Sequence, residues 1–245
     1  MMWRTLLVLG ALLLVGTTVA AQDTANGRRR CEWEGWLPPD SGRARVRRAG
    51  HLDSAREKAL RDRLGDSSAV VRDAAARALG ASTDPHTADV LAGLLHDPNG
   101  VVRDGAIRAL GRIGDQRAVP WLRLMARDTS KHVRQAVIWS LGQIQSDKAE
   151  QTLLEASRDG NAHVRAEAGW ALGLIDDPRV ASRVAELAAD PEPSIRQAAV
   201  CSAATMLRRG VVPAATFDGV IAHMERDANA QVRDAAAWAA WARSH

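Results

Sequence analysis

Two stretches of this 245-residue chain, HVRQAVIW from His132 to Trp139 and HVRAEAGW from His163 to Trp170, set a histidine and a tryptophan seven residues apart. Seven residues is close to two helical turns. In a helix, each imidazole would therefore share a face with an indole, with Gln135 and Glu167 between them. Indoles provide rigid contact area and the polar groups fix orientation, which is the chemistry of holding another chain. Neighbouring helices pack about 8–10 Å apart, so the two indoles would match roughly three residues of extended peptide. Alternatively, Trp139 and Trp170 stack on one another or on the protein's own N-terminal arm. A metal centre is not expected, because Glu167 is the nearest carboxylate to the two histidines and completes no ligand set.

The elements that carry these residues follow from an internal repeat. An apolar residue precedes an arginine at Val71, Val102, Val133, Val164, Ile195 and Val232, and successive anchors lie 31, 31, 31, 31 and 37 residues apart. Five residues before each anchor stands Asp66, Asp97, Asp128, Asp159, Asp190 or Asp227. Six residues before that comes an aliphatic, Leu60, Leu91, Leu122, Leu153, Val184 or Ile221. Each unit reads as two helices. The first stops near the aspartate, and the second runs to the glycines at 80, 111, 142 and 173, with apolar residues at offsets 0, +4 and +8 from the anchor. The fold class is all-α, a right-handed α-solenoid of about six antiparallel helix pairs over residues 51–245, the last pair a cap.

Recurrence decides how the aspartate and arginine columns are read. An active site seldom repeats in every unit, so each aspartate is expected to accept backbone N–H bonds and cap the second helix. Each following arginine is expected to bridge to turn carboxylates of its own or the next unit. Offset +6 lies about 240° from the anchor, away from the first helix and on the expected concave face. It reads Arg77, Arg108, Trp139, Trp170, Cys201 and Trp238. The groove is thus expected to change from cationic to aromatic, with the indoles outside the core and their truncation leaving stability almost unchanged.

The segment VRDGAIRALGRIGDQRAVPWLRLMARD, Val102 to Asp128, resembles the short HEAT repeats of phycobilisome-lyase-type proteins, and the resemblance covers roughly residues 52–243. It implies the solenoid and leaves function open, since such repeats serve scaffolds, lyase subunits, a metal-dependent hydroxylase and DNA glycosylases. The His-Glu dipeptides that the hydroxylase resemblance would require are absent. No nucleophile elbow, phosphate loop or zinc-spaced cysteine cluster is present either. No catalytic residue, metal or cofactor is therefore expected.

The N-terminus carries Arg4, the apolar run Leu6 to Val15 and small residues up to Ala21. This fits a signal peptide over 1–21 and export to the periplasm or exterior, with no stable membrane span after cleavage. Residues 22–50 form an arm rich in Gly, Pro and Arg that carries Trp33 and Trp36. Export would favour a disulfide between the two cysteines, Cys31 and Cys201, tying the arm into the groove. The net charge of +4 combines 33 basic with 29 interspersed acidic residues, so no nucleic-acid face is indicated. The expected function is a non-enzymatic scaffold that binds a protein or extended peptide through Trp139, Trp170, His132, His163, Gln135, Glu167, Arg77 and Arg108. The alternative is an accessory, lyase-like enzyme subunit or a small-ligand domain using the Trp–His patch.

Overall fold

Every repeat pairs a short helix with a longer one. The computed structural model describes residues 52–244, and these hold twelve α-helices and no strand. The first helices are α1 (Ser54–Asp62), α3 (Thr87–Gly93), α5 (Val119–Met125), α7 (Glu150–Ala156), α9 (Ala181–Leu187) and α11 (Asp218–Met224). Their partners are α2 (Ala69–Leu79), α4 (Gly100–Ile113), α6 (Lys131–Ile144), α8 (Ala162–Leu172), α10 (Pro193–Arg208) and α12 (Ala230–Ser244). Helices of seven to nine residues are unstable alone, so tertiary packing holds the first set. The aliphatic column supplies that packing: Leu91, Leu122 and Leu153 are fully buried, as are the anchors Val102, Val133, Ile195 and Val232.

The arginine and aspartate columns form a staple at each junction. Arg72, Arg103, Arg134, Arg165 and Arg196 each place Nε and Nη2 on both oxygens of the next repeat's aspartate, Asp97, Asp128, Asp159, Asp190 and Asp227, at 2.7–3.3 Å. Nη1 donates to the carbonyl of the preceding turn, as Arg103 does to Asp97 O at 2.9 Å. In the sixth repeat, Arg233 donates to the turn carbonyls of Asp227 and Ala228. The bridge to the next repeat is thus as expected, whereas the helix cap lies two residues later than expected. Each aspartate accepts the N–H of the true N-cap residue, as Asp97 does from Asn99 at 2.8 Å. Asn99 and Asn161 then accept the first free N–H groups of α4 and α8. The aspartate is too far upstream to reach those groups itself.

The glycine column also differs from its expected role. Gly80 and Gly173 do end α2 and α8, but α4 and α6 run on to Ile113 and Ile144 and stop at left-handed Gly114 and Gln145. The column instead sets helix spacing. A Cβ on Gly111 would lie 2.6 Å from Ser140 Oγ and 2.8 Å from its Cα, and one on Gly173 would lie 2.6–2.7 Å from the equivalent atoms of Ser202. Across these contacts, Ser140 Oγ donates to Ile107 O at 2.9 Å and Ser202 Oγ to Gly169 O at 2.7 Å. The second helices therefore pack side by side in a tight layer. Between the first helices α5 and α7 there is instead a cleft of about 620 Å³, lined by residues such as Pro120, Leu124, Gln151 and Glu155. A layer that is tight on one side and splayed on the other places the second helices on the concave face.

The six extra residues of the last repeat lengthen α10 to 16 residues and end it at Gly210, φ +68°. The insertion then packs as a 3₁₀ turn, Ala214–Phe217, which buries Phe217, the chain's one phenylalanine.

Candidate functional site

Positions −1, +3, +6 and +10 of each second helix lie within about 60° of one another around the axis. They make up the strip that the tight layer turns toward the groove. Position −1 is exposed in every repeat: Val70, Val101, His132, His163, Ser194 and Gln231. The two valines are the most open large apolar residues of the inner layer, at 78% and 59%. Both histidines therefore lie where they were expected, on an open edge one helix apart.

The +6 column is less exposed than expected. Trp139 and Trp170 are half-buried and pack on the hydrophobic core, Cys201 is fully buried and Trp238 is 3% exposed. The expectation that both indoles of the pair lie outside the core is thus corrected: the closely packed second helices leave each indole partly covered against the core. Neither Trp139, Trp170 nor Cys201 is without a partner. Arg108 lies over the Trp139 ring with its guanidinium carbon 5.8 Å from the centroid, a cation–π contact.

Gln135 and Glu167 are not equivalent. Gln135 stands at offset +2 on the flank and is half-buried, whereas Glu167 stands at +3 in the centre of the strip. The other repeats carry Ala or Gly at +3, and the Glu167 side chain is 8% exposed. It is engaged rather than free.

The cationic end of the groove is largely neutralised from within. Arg77 Nε binds Asp73 at 2.8 Å and its Nη2 binds Asp104 at 2.8 Å, while Arg108 binds Asp104 at 3.1 Å. Arg112 donates from Nη2 to Arg77 O at 2.7 Å and lies against Gly80, whose missing side chain makes room for it. Burial, then the charges of Arg77 and Arg108, push its pKa down from the ordinary guanidinium value. Sequence reading overlooked Asp73 and Asp104, although the i,i+4 spacing to Arg77 and Arg108 is visible in the sequence. A cavity of about 450 Å³ opens at the starts of α4 and α6, lined by Asn99, Gly100, Val101, Asp104, Arg108, Ser130 and His132.

Cys201 is disulfide-bonded. The chain's other cysteine, Cys31, lies outside the described residues, as do the expected signal peptide and the arm with Trp33 and Trp36. Among the described residues no group of three or more His, Cys, Asp or Glu could hold a metal ion. None of the described helices is long and apolar enough to cross a membrane.

Tandem helix pairs, stapled through Arg–Asp forks and presenting one tight inner layer, define an α-solenoid repeat protein. The family model for HEAT repeats matches residues 57–130, 92–162 and 122–205, and the chain belongs to the HEAT-repeat family. No curated protein sequence matches it. Among solved structures, the Escherichia coli protein YibA superimposes with a TM-score of 0.58 at 19% identity, over 81% of this chain and 74% of that one. An engineered protein gives 0.57 at 17% identity, over 77% and 96%. A designed armadillo repeat protein in complex with the peptide (KR)4 gives 0.53 at 18% identity, over 75% and 98%. At these identities the similarity establishes the fold.

Proposed function

We propose that this protein is an exported, non-enzymatic scaffold whose concave layer holds an extended segment of another protein. The carrying observation is the strip on α6 and α8, where exposed His132 and His163 edge half-buried Trp139 and Trp170 around the carboxylate of Glu167. Such a strip offers apolar area edged by two exposed imidazoles in line, the pattern suited to an extended chain. The designed armadillo neighbour holds a peptide, (KR)4, on a related architecture. Because Asp73 and Asp104 pair with Arg77 and Arg108, these two arginines do not call for an acidic partner. The alternative, a small-ligand or accessory-subunit role, draws its support from the 450 Å³ cavity beside His132.

The test is capture from envelope extract by the immobilised full chain, repeated with Glu167→Gln and with His132→Ala/His163→Ala, and with melting curves as the control for folding. A captured protein that all variants with unchanged melting retain equally would move binding off this strip. Export is tested separately by intact mass from the native host, expected to begin at Gln22.

A further inference from the structure

We propose that the cleft between α5 and α7, on the face opposite the concave layer, binds a small guanidinium compound that also carries a carboxylate, of which free arginine is the simplest. The cleft is separate from the strip on α6 and α8, and the proposal is independent of the reading of that strip. It rests on a comparison of one junction with the next inside the same chain. The cleft encloses about 620 Å³ where the third repeat meets the fourth, within the range of about 300–1,000 Å³ usual for small-molecule sites.

Where the fourth repeat meets the fifth, the equivalent space is filled by the chain itself. Arg183, on α9, reaches back to the end of α7, where its Nε donates to Ser157 Oγ and its Nη2 to Ser157 O, both at 2.7 Å. Nη1 donates to Glu186 Oε2 at 2.7 Å, and the side chain is left only 16% exposed. Thirty-one residues earlier, the carbonyl and the carboxylate recur but the guanidinium does not. Thr152 stands in place of Arg183, Ala126 in place of Ser157 and Glu155 in place of Glu186, and all three line the cleft. Where the second repeat meets the third, the same position holds Trp121, which packs on the core.

The cleft therefore keeps two of the acceptors that hold a guanidinium at the next junction and leaves the planar donor to be supplied from outside. Glu155 Oε1 accepts from Gln151 Nε2 at 3.0 Å. Arg127 stands 3.6 Å from Oε2 and is 85% exposed, a weak contact that an incoming guanidinium fork displaces. Asp159, also on the wall, is already held by Arg134. Arg123 and Arg127 line the mouth and are exposed, so a bare cation is repelled there. They favour a ligand whose guanidinium enters toward Glu155 and whose carboxylate stays at the rim. Pro120 and Leu124, the latter 77% exposed, offer apolar area for the methylene stem between the two charges.

Isothermal titration calorimetry of the full chain with L-arginine tests the proposal and is expected to give saturable, one-site binding. Agmatine lacks the carboxylate, citrulline lacks the charge, and N-acetyl-arginine amide has its carboxyl capped like that of an internal residue; each should bind at least about tenfold more weakly. Glu155→Gln should weaken L-arginine about tenfold with melting unchanged, since that side chain is half exposed. Glu186→Gln, the same change where Arg183 already fills the space, should leave the affinity unaltered. Thr152→Arg gives this junction the side chain of the next one, and it should abolish binding while melting stays level or rises. Absence of saturable heat, full affinity in Glu155→Gln, or retained binding in a folded Thr152→Arg would each overturn the proposal. Equal affinity for the capped amide would assign the cleft to an arginine within a protein segment and overturn the small-molecule assignment.

Discussion

Removing Arg103 should uncouple the second repeat from the third. Its guanidinium grips Asp128 through two bonds of 2.9 Å and the Asp97 carbonyl through a third. The two side chains are only 15% and 8% exposed. In Arg103→Ala, Asp128 keeps the Ser130 N–H at 2.8 Å but loses its counter-charge in a poorly hydrated junction. Stranding one member of a buried pair costs about 3–5 kcal/mol. The residual exposure places this case near the lower end, about 3 kcal/mol, or roughly 6–12 °C in melting temperature for a domain of this size. Arg233→Ala provides the internal control, because the same column position there reaches no following carboxylate among the described residues, and it should cost under about 0.5 kcal/mol. Repeat stability is a sum of nearest-neighbour terms, so Arg103→Ala should also broaden the urea transition and lower its slope. Urea unfolding followed by circular dichroism measures both quantities. If the two variants lose stability equally, the staple is ornamental and the reasoning from burial fails.

Gly111→Ala drives a methyl into Ser140, including its backbone Cα, and should cost about 1–3 kcal/mol through overpacking. Gly93→Ala, in α3 with nothing within 4 Å, should be neutral or stabilise by up to about 1 kcal/mol; thermal melts of the two variants compare them directly. Trp139→Ala and Trp170→Ala should each cost about 1.5–2.5 kcal/mol, roughly half the penalty of a fully buried indole, with helicity retained in far-UV spectra. The staple should also weaken in acid. For Asp97, Asp159 and Asp227 the largest influence is the guanidinium of Arg72, Arg134 and Arg196, which holds each carboxyl below the usual range. For Asp128, burial alone would raise the pKa, but Arg103 and the Ser130 N–H outweigh it. Carboxyls depressed in the folded state contribute stability that is present above about pH 4 and lost as pH falls through the lower folded values. Urea midpoints should therefore hold from pH 7 to 5 and drop below 4, with a smaller drop in Asp128→Asn.

The repeat itself was legible in the sequence, because each column answers to a local or next-neighbour requirement that recurs every 31 residues. An anchor must be apolar wherever it meets a first helix, and the arginine after it finds the next repeat's aspartate, 25 residues on for Arg103 and Asp128 and 31 residues on for Arg196 and Asp227, where the last unit is longer. The exposed edge was legible for the same reason, since His132 and His163 stand at an offset that no neighbour covers. Only the tertiary structure decided how deep the remaining strip lies. The 3.6-residue period gives a direction around one helix but not the distance to the next. That distance is set by Gly111 against Ser140 and Gly173 against Ser202, and it turns Trp139, Trp170 and Cys201 from groove-lining groups into half-buried or buried ones. The charge of the groove was decided there too. Arg77 reads as a free cation along its own helix apart from Asp73, and only the packing of α2 on α4 brings Asp104 within 2.8 Å of it.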